Sequence, residues 1–158
     1  MGYSNSNEST QDHTYGNDGV CTFCGTLNPK VVATLSKNGN VVAAYESLNA
    51  AVTAVAGCTA EDAAVIKLLK QIDLGNRHQR ITGGVFTIDL NGYELSCTSD
   101  SYGTLFITKK GTAVTIIDSV GSGKISGEFA GVVIENASLT IDGVTISGIR
   151  AVDAYSGS

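Results

Sequence analysis

The chain has no tryptophan, a single proline (Pro29) and an aromatic fraction of only 6%. Charged residues make up 16% of it, against the quarter or so usual for globular domains. No apolar run comes near the roughly 20 residues of a membrane span, so membrane insertion is not expected. No basic run exists either: Arg77, His78 and Arg80 are the densest positive patch, with Asp73 close by, and the net charge is −5. Binding to nucleic acid needs a clustered basic face that displaces phosphate counterions, and binding to an anionic membrane surface needs one too; neither partner is expected. With His13 and His78 as the only histidines, no Ser–His–Asp arrangement can be argued. The stretch from Met1 to Asn17 is polar and lacks the basic start and apolar core of a signal peptide. The expectation is a piece of a longer secreted or cell-surface protein that begins after its signal.

What the chain does have is 42% apolar residues and 19 glycines in 158 positions. That is too apolar for a disordered chain. It suits many short strands joined by Gly, Asn, Asp and Ser turns.

Three zones follow one another. Residues 1–30 are polar, rich in Ser, Asn and Gly, and without periodicity; they read as a tail that carries a Cys-x-x-Cys knuckle at Cys21 and Cys24. Residues 31–61 start with two β-prone runs, Val31 to Leu35 and Val41 to Ala44, around Asn38-Gly39. Asn-Gly accepts the positive φ angles of a tight hairpin turn. From Glu46 to Val55 the period changes: Leu48, Val52 and Val55 fall at i, i+4 and i+7, on one face of a helix. Ser47 is its expected N-cap and Gly57 its expected terminator.

Residues 62–158 carry the strongest signal. Apolar residues alternate in short bursts, a period of two that means strands with one buried face. Phe86-Thr87-Ile88, Val114-Thr115-Ile116 and Leu139-Thr140-Ile141 are one pattern seen three times, spaced 28 and 25 residues apart. Leu95, Ile125 and Ile146 make a second column, and Ile107 and Ile134 a third, 27 residues apart. Three strands per repeat of about 25 residues is the arithmetic of a parallel β-helix. The fold expected is therefore all-β: a right-handed parallel β-helix with three strands per coil, preceded by a hairpin and a capping α-helix. An earlier, less regular coil would hold Ile66, Leu68, Ile72, Leu74 and Ile81. One coil cannot bury its apolar side alone, so the helix is expected to cover the first coil. The last, after Ile149, reads as truncated and uncapped, and invites stacking on another chain. A β-sandwich is the competing fold, but it would not need the three-column register.

The candidate chemistry is sparse. Two thiolates at the Cys21-x-x-Cys24 spacing can grip one Zn²⁺ from a tight turn, with His13 as a candidate third ligand. A disulfide, or two free thiols, is the alternative. Cys58 and Cys97 are either a disulfide from cap to coil or two buried, unpaired thiols. Asp89, Asp118 and Asp142 close the first strand of successive coils; stacked carboxylates could bind Ca²⁺ or act on a sugar, while the commoner role is to accept hydrogen bonds from turn amides. Arg77, His78, Arg80, Lys109, Lys110 and Lys124 read as solvated turn residues. Tyr93, Tyr102 and Tyr155, with outward Thr and Ser, could face a glycan, or be ordinary strand surface.

Two segments, Ala44 to Val52 and Phe86 to Leu95, resemble the N-terminal part of pectin-lyase-like β-helix proteins on the surface of anaerobic Gram-positive bacteria; Val114 to Gly127 and Ser138 to Gly148 look like the following coils. His13-Thr14-Tyr15 followed by Gly19 to Gly25 is similar to a short Cys-x-x-Cys-Gly unit found in such large proteins. The resemblance implies a secreted or wall-attached parent with an adhesive or carbohydrate-contacting role, and carries no catalytic residue onto this chain. The function expected is a non-enzymatic structural or adhesive module. The alternatives are a fragment of a polysaccharide lyase or glycoside hydrolase, and a β-helix that assembles end to end through its last coil.

Overall fold

The structure is a computed structural model that describes residues 13–155. The order of strands begins with a hairpin, β1 (Ala33–Lys37) and β2 (Asn40–Tyr45), paired antiparallel. Its turn residues, Asn38 and Gly39, have φ of 50° and 80°, both positive as a tight hairpin turn demands. The hairpin is not free-standing, which the sequence did not reveal. β1 also pairs antiparallel with β3 (Ala64–Leu68), the first strand of the repeat, and so extends the first sheet beyond the coils.

From β3 onward the chain winds as a β-solenoid of about three turns, repeating about every 25 residues. The first column stacks β3, β6 (Val85–Asp89), β9 (Ala113–Ile117) and β12 (Ser138–Asp142) in parallel. The second stacks β4 (Ile72–Asp73), β7 (Glu94–Cys97), β10 (Lys124–Gly127) and β13 (Thr145–Ser147). The third stacks β5 (Gln79–Ile81), β8 (Gly103–Thr108), β11 (Ala130–Glu135) and β14 (Arg150–Tyr155).

The register is the one that the apolar periodicity requires. Ile66, Ile88, Ile116 and Ile141 stand above one another in the first column. Ile72, Leu95, Ile125 and Ile146 do so in the second, and Ile81, Ile107 and Ile134 in the third. A one-residue slip would turn every one of these side chains outward, so burial enforces the register. Ile88, Ile116, Leu95, Ile125 and Ile107 are fully buried. Each contributes about 1.5–3 kcal/mol relative to exposure.

Helix α1 (Leu48–Val55) covers the first coil. Ser47 takes an extended conformation (φ −149°, ψ 148°) and its Oγ accepts the Ala50 N–H at 3.2 Å, so the helix starts where the cap predicts. Leu48, Ala51, Val52 and Val55 are buried and join the core formed by the coils. Its end departs from expectation. Gly57 is not in the left-handed region, and the closing bonds run instead from the Ala56 N–H to the Thr53 carbonyl and from the Cys58 N–H to the Val55 carbonyl. A short 3-10 turn, Ala60–Asp62, follows and leads into β3.

The outermost coil is less covered. Ile141 is 37% exposed, whereas Ile116 directly beneath it is at 0%. Among the described residues no helix is long and apolar enough to cross a membrane.

Candidate functional sites

The N-terminal knuckle is built by turns alone. Short bridges join Tyr15 to Cys21 and Val20 to Leu27. The Thr22 N–H bonds the Thr14 carbonyl at 2.9 Å, which draws His13 beside the Cys-x-x-Cys loop. That loop closes through the Gly25 N–H to the Cys21 carbonyl at 2.9 Å, with Gly25 at φ 72°, and through the Cys21 N–H to the Thr26 carbonyl at 2.8 Å. A positive φ of this kind is what glycine accepts at no steric cost.

The result brings together the three residues singled out by their types and spacing. His13 Nδ1 lies 3.4 Å from Cys21 Sγ and 3.4 Å from Cys24 Sγ. The donor atoms of all three lie within 4.8 Å of one another and could hold a metal ion. Cys21 is buried, while His13 and Cys24 are exposed. The backbone N–H groups of Cys24 and then Phe23 point at Cys21 and, outweighing the effect of its burial, hold its thiol below the ordinary cysteine value. Cys21 and Cys24 are free thiols, as are Cys58 and Cys97. Cys97 is buried beside the Thr104 hydroxyl, and Cys58 is buried at the end of α1.

Two of the three aspartates serve turns. Asp89 accepts the Asn91 N–H at 2.9 Å and the Ser119 N–H at 3.0 Å. Asp118 accepts N–H bonds from Gly92 at 2.6 Å, from Val120 at 3.3 Å, and from Gly123. Burial pushes the Asp118 carboxyl up, but the amides of Gly123, Gly92, Val120 and Gly121 together outweigh it and hold the group below the usual carboxylate range. Asp142 is exposed.

A second candidate site lies on the outer face of the third column. Arg80, Phe106, Val133 and Asp153 stand in register there, one per coil. The residue immediately before each strand of that column is large: His78, Tyr102, Phe129 and Ile149. His78 packs on Tyr102 with ring centres 4.7 Å apart, and on Phe106 at 5.9 Å. Arg80 lies over the Phe106 ring at 5.4 Å and Arg150 over Phe129 at 5.7 Å. Tyr102, Phe106, Phe129 and Tyr155 line one cavity, and the neighbouring one is lined by Arg77, His78, Asp100, Tyr102 and Glu128, so the two meet at Tyr102. Burial, and then the Arg80 charge, push His78 below its ordinary value.

Of the tyrosines expected to face a ligand, Tyr102 and Tyr155 reach this groove; Tyr93 follows Leu90 in a turn between the first and second columns and does not. The reading of the basic residues needs correction. Lys109 sits in a turn with φ 85°, but His78 and Arg80 belong to the ring cluster, and Lys124 lies in β10, 3.4 Å from Glu94 on the neighbouring coil. The groove escaped sequence reasoning because His78, Tyr102 and Phe129 follow one another at spacings of 24 and 27 residues; the position just before each third-column strand was the signal that could have found it.

Comparison of the chain with protein-family models, with curated proteins and with solved structures returned no match.

Proposed function

We propose that this chain is a structural and adhesive β-helix module of a secreted or cell-surface bacterial protein, of the pectin-lyase-like kind, that contacts glycans through the outer face of its third column and carries Zn²⁺ at its N-terminal knuckle. One observation carries the glycan reading: the run of rings from His78 through Tyr102 and Phe106 to Phe129 along consecutive coils. Flat, half-exposed rings stack on the apolar faces of pyranose sugars. The flanking Asp100, Glu128 and Glu135 with Arg77 and Arg80 offer hydrogen bonds around them. Charges of both signs favour a neutral, hydroxylated polymer over a strongly charged one. The engagement of Asp89 and Asp118 by turn amides supports a binding role over a hydrolytic or lyase one.

The test is calorimetric titration with neutral oligosaccharides of glucose, xylose, mannose and N-acetylglucosamine. Binding to at least one, weakened tenfold or more in Tyr102→Ala and Phe129→Ala, supports the reading. No binding at millimolar sugar, or binding untouched by both substitutions, overturns it.

The exposed outer coil favours a second reading, end-to-end stacking of two copies through β12, β13 and β14. It rests on the contrast between Ile141 and the covered Ile116. A solution mass that climbs with concentration, and falls back to that of a monomer in Ile141→Lys, supports stacking; a constant monomer mass sinks it.

A further inference from the structure

Between His13 and Lys30 only Gly19 and Cys21 are buried. Phe23 is 85% exposed, and Leu27 is exposed as well. Eighteen residues with no apolar interior do not hold a single conformation by burial, and segments of this size are ordinarily stapled by a disulfide or a metal. Cys21 and Cys24 are free thiols, and with His13 beside them they are the donors a metal would use.

The geometry agrees. In a tetrahedral zinc site with Zn–S of about 2.3 Å and Zn–N of about 2.05 Å, neighbouring sulfur and nitrogen ligands stand about 3.6 Å apart. His13 Nδ1 is 3.4 Å from each sulfur. Two thiolates and one imidazole are a donor set that suits Zn²⁺ over the oxygen-seeking Mg²⁺ and Ca²⁺. Two of the three donors belong to exposed residues, and among the described residues no fourth donor joins them.

The knuckle does not stand apart from the rest of the fold. Gly19 packs so closely on the hairpin that a Cβ there would lie 2.8 Å from Ala44 Cβ and 3.0 Å from Val31 Cγ2. Ala43 and Tyr45 of β2 pack against the core, so Val42 and Ala44 point outward, and it is this outward face that Gly19 meets. Val31 is buried beneath the contact.

Resting on the zinc reading and deepening it, we infer that zinc bound by His13, Cys21 and Cys24 folds the knuckle and thereby docks it on the outward face of β2. Without the ion the knuckle lacks what holds it, and Val31 and Ala44 are laid open; the coils, whose core is separate, keep their structure. Binding and folding are then one event, as in other small metal-dependent units.

The experiment uses the full chain, kept reduced. Zinc content is measured after exchange into micromolar free Zn²⁺, and the Co²⁺ form is checked for thiolate-to-cobalt absorption. Amide hydrogen exchange is then compared with and without chelator. One zinc per chain, a thiolate–cobalt band, and a tenfold or greater loss of protection at Cys21, Gly25, Asn28 and Val31 on chelation, with Ile88 and Ile116 unchanged, support the inference. Cys24→Ser and His13→Ala should reproduce the chelated pattern. Absence of both zinc and the cobalt band overturns the zinc reading itself. Zinc bound at one per chain with knuckle protection unchanged by chelation leaves the zinc reading standing and overturns the docking inference.

Discussion

Asp89 and Asp118 lie one coil apart, and each accepts an N–H from the other's turn: Asp89 from Ser119 at 3.0 Å, Asp118 from Gly92 at 2.6 Å. The exchange ties together two turns whose lengths differ, and sets how the second coil meets the third. Asp118→Ala leaves the Gly92 and Gly123 amides without their acceptor, and should destabilise the protein by about 1–3 kcal/mol in urea unfolding. Because the two carboxylates share one network, the Asp89→Ala, Asp118→Ala double variant should lose less than the two single losses added together.

The same carboxyl predicts a pH dependence. Its folded value lies below the ordinary one, so the stability it contributes is fully present above about pH 4 and is lost as pH falls through the folded value. Replacement by Asn removes the titrating group. The acid limb of the stability curve should therefore be shallower in Asp118→Asn than in the parent; equal slopes would refute this account.

His78 behaves oppositely in chemistry but alike in direction. Its folded value is lowered by burial and by Arg80, so folding favours the neutral ring. The unfolded chain takes up the proton first, from about pH 6.5 downward, and stability falls from there until the folded ring protonates as well. Thermal unfolding between pH 7.5 and 5 should show this decline in the parent and a flatter response in His78→Gln.

Position within the stack decides the cost of a lost side chain. Ile116 is covered by coils on both sides, and Ile116→Ala should cost about 2–5 kcal/mol. Ile141, on the outermost coil and 37% exposed, has the same place in the repeat, yet Ile141→Ala should cost no more than about 1 kcal/mol. Denaturant midpoints of the two variants, measured side by side, compare them directly.

Gly84 marks where the chain passes beneath the end of α1. Its φ is +88°, and a Cβ there would fall 2.1 Å from the Val55 carbonyl oxygen. Backbone would have to move, so Gly84→Ala should destabilise by about 3 kcal/mol or more, with the lost hydrogen-exchange protection centred on α1. Gly39→Ala, also at positive φ but in open space, should cost about 1 kcal/mol.

Much of the fold was legible in order along the chain. The Phe86, Val114 and Leu139 motifs recur because each strand must offer the same face to the same core, and stacking then aligns them in register. Asn38-Gly39 announced a hairpin, and Ser47 with the Leu48, Val52 and Val55 stripe a capped helix, since both are local choices of backbone angle and burial. The pairing of β1 with β3 was not legible, because Leu35 and Ile66 are brought together by a partner choice that no local pattern encodes.

The candidate sites divide in the same way. His13, Cys21 and Cys24 were identified by residue type and short spacing, since a Cys-x-x-Cys turn needs few residues to bring two sulfurs together. The solenoid period, the helix and the donor set of the knuckle were thus determined by the sequence alone, through periodicity and chain proximity. The ring cluster of His78, Tyr102, Phe106 and Phe129, the exchange between Asp89 and Asp118, and the docking of Gly19 on Ala44 were decided only by the tertiary structure. Each depends on residues 23 or more apart, and it is the winding of the coils, with the lengths of their turns, that sets which of them meet.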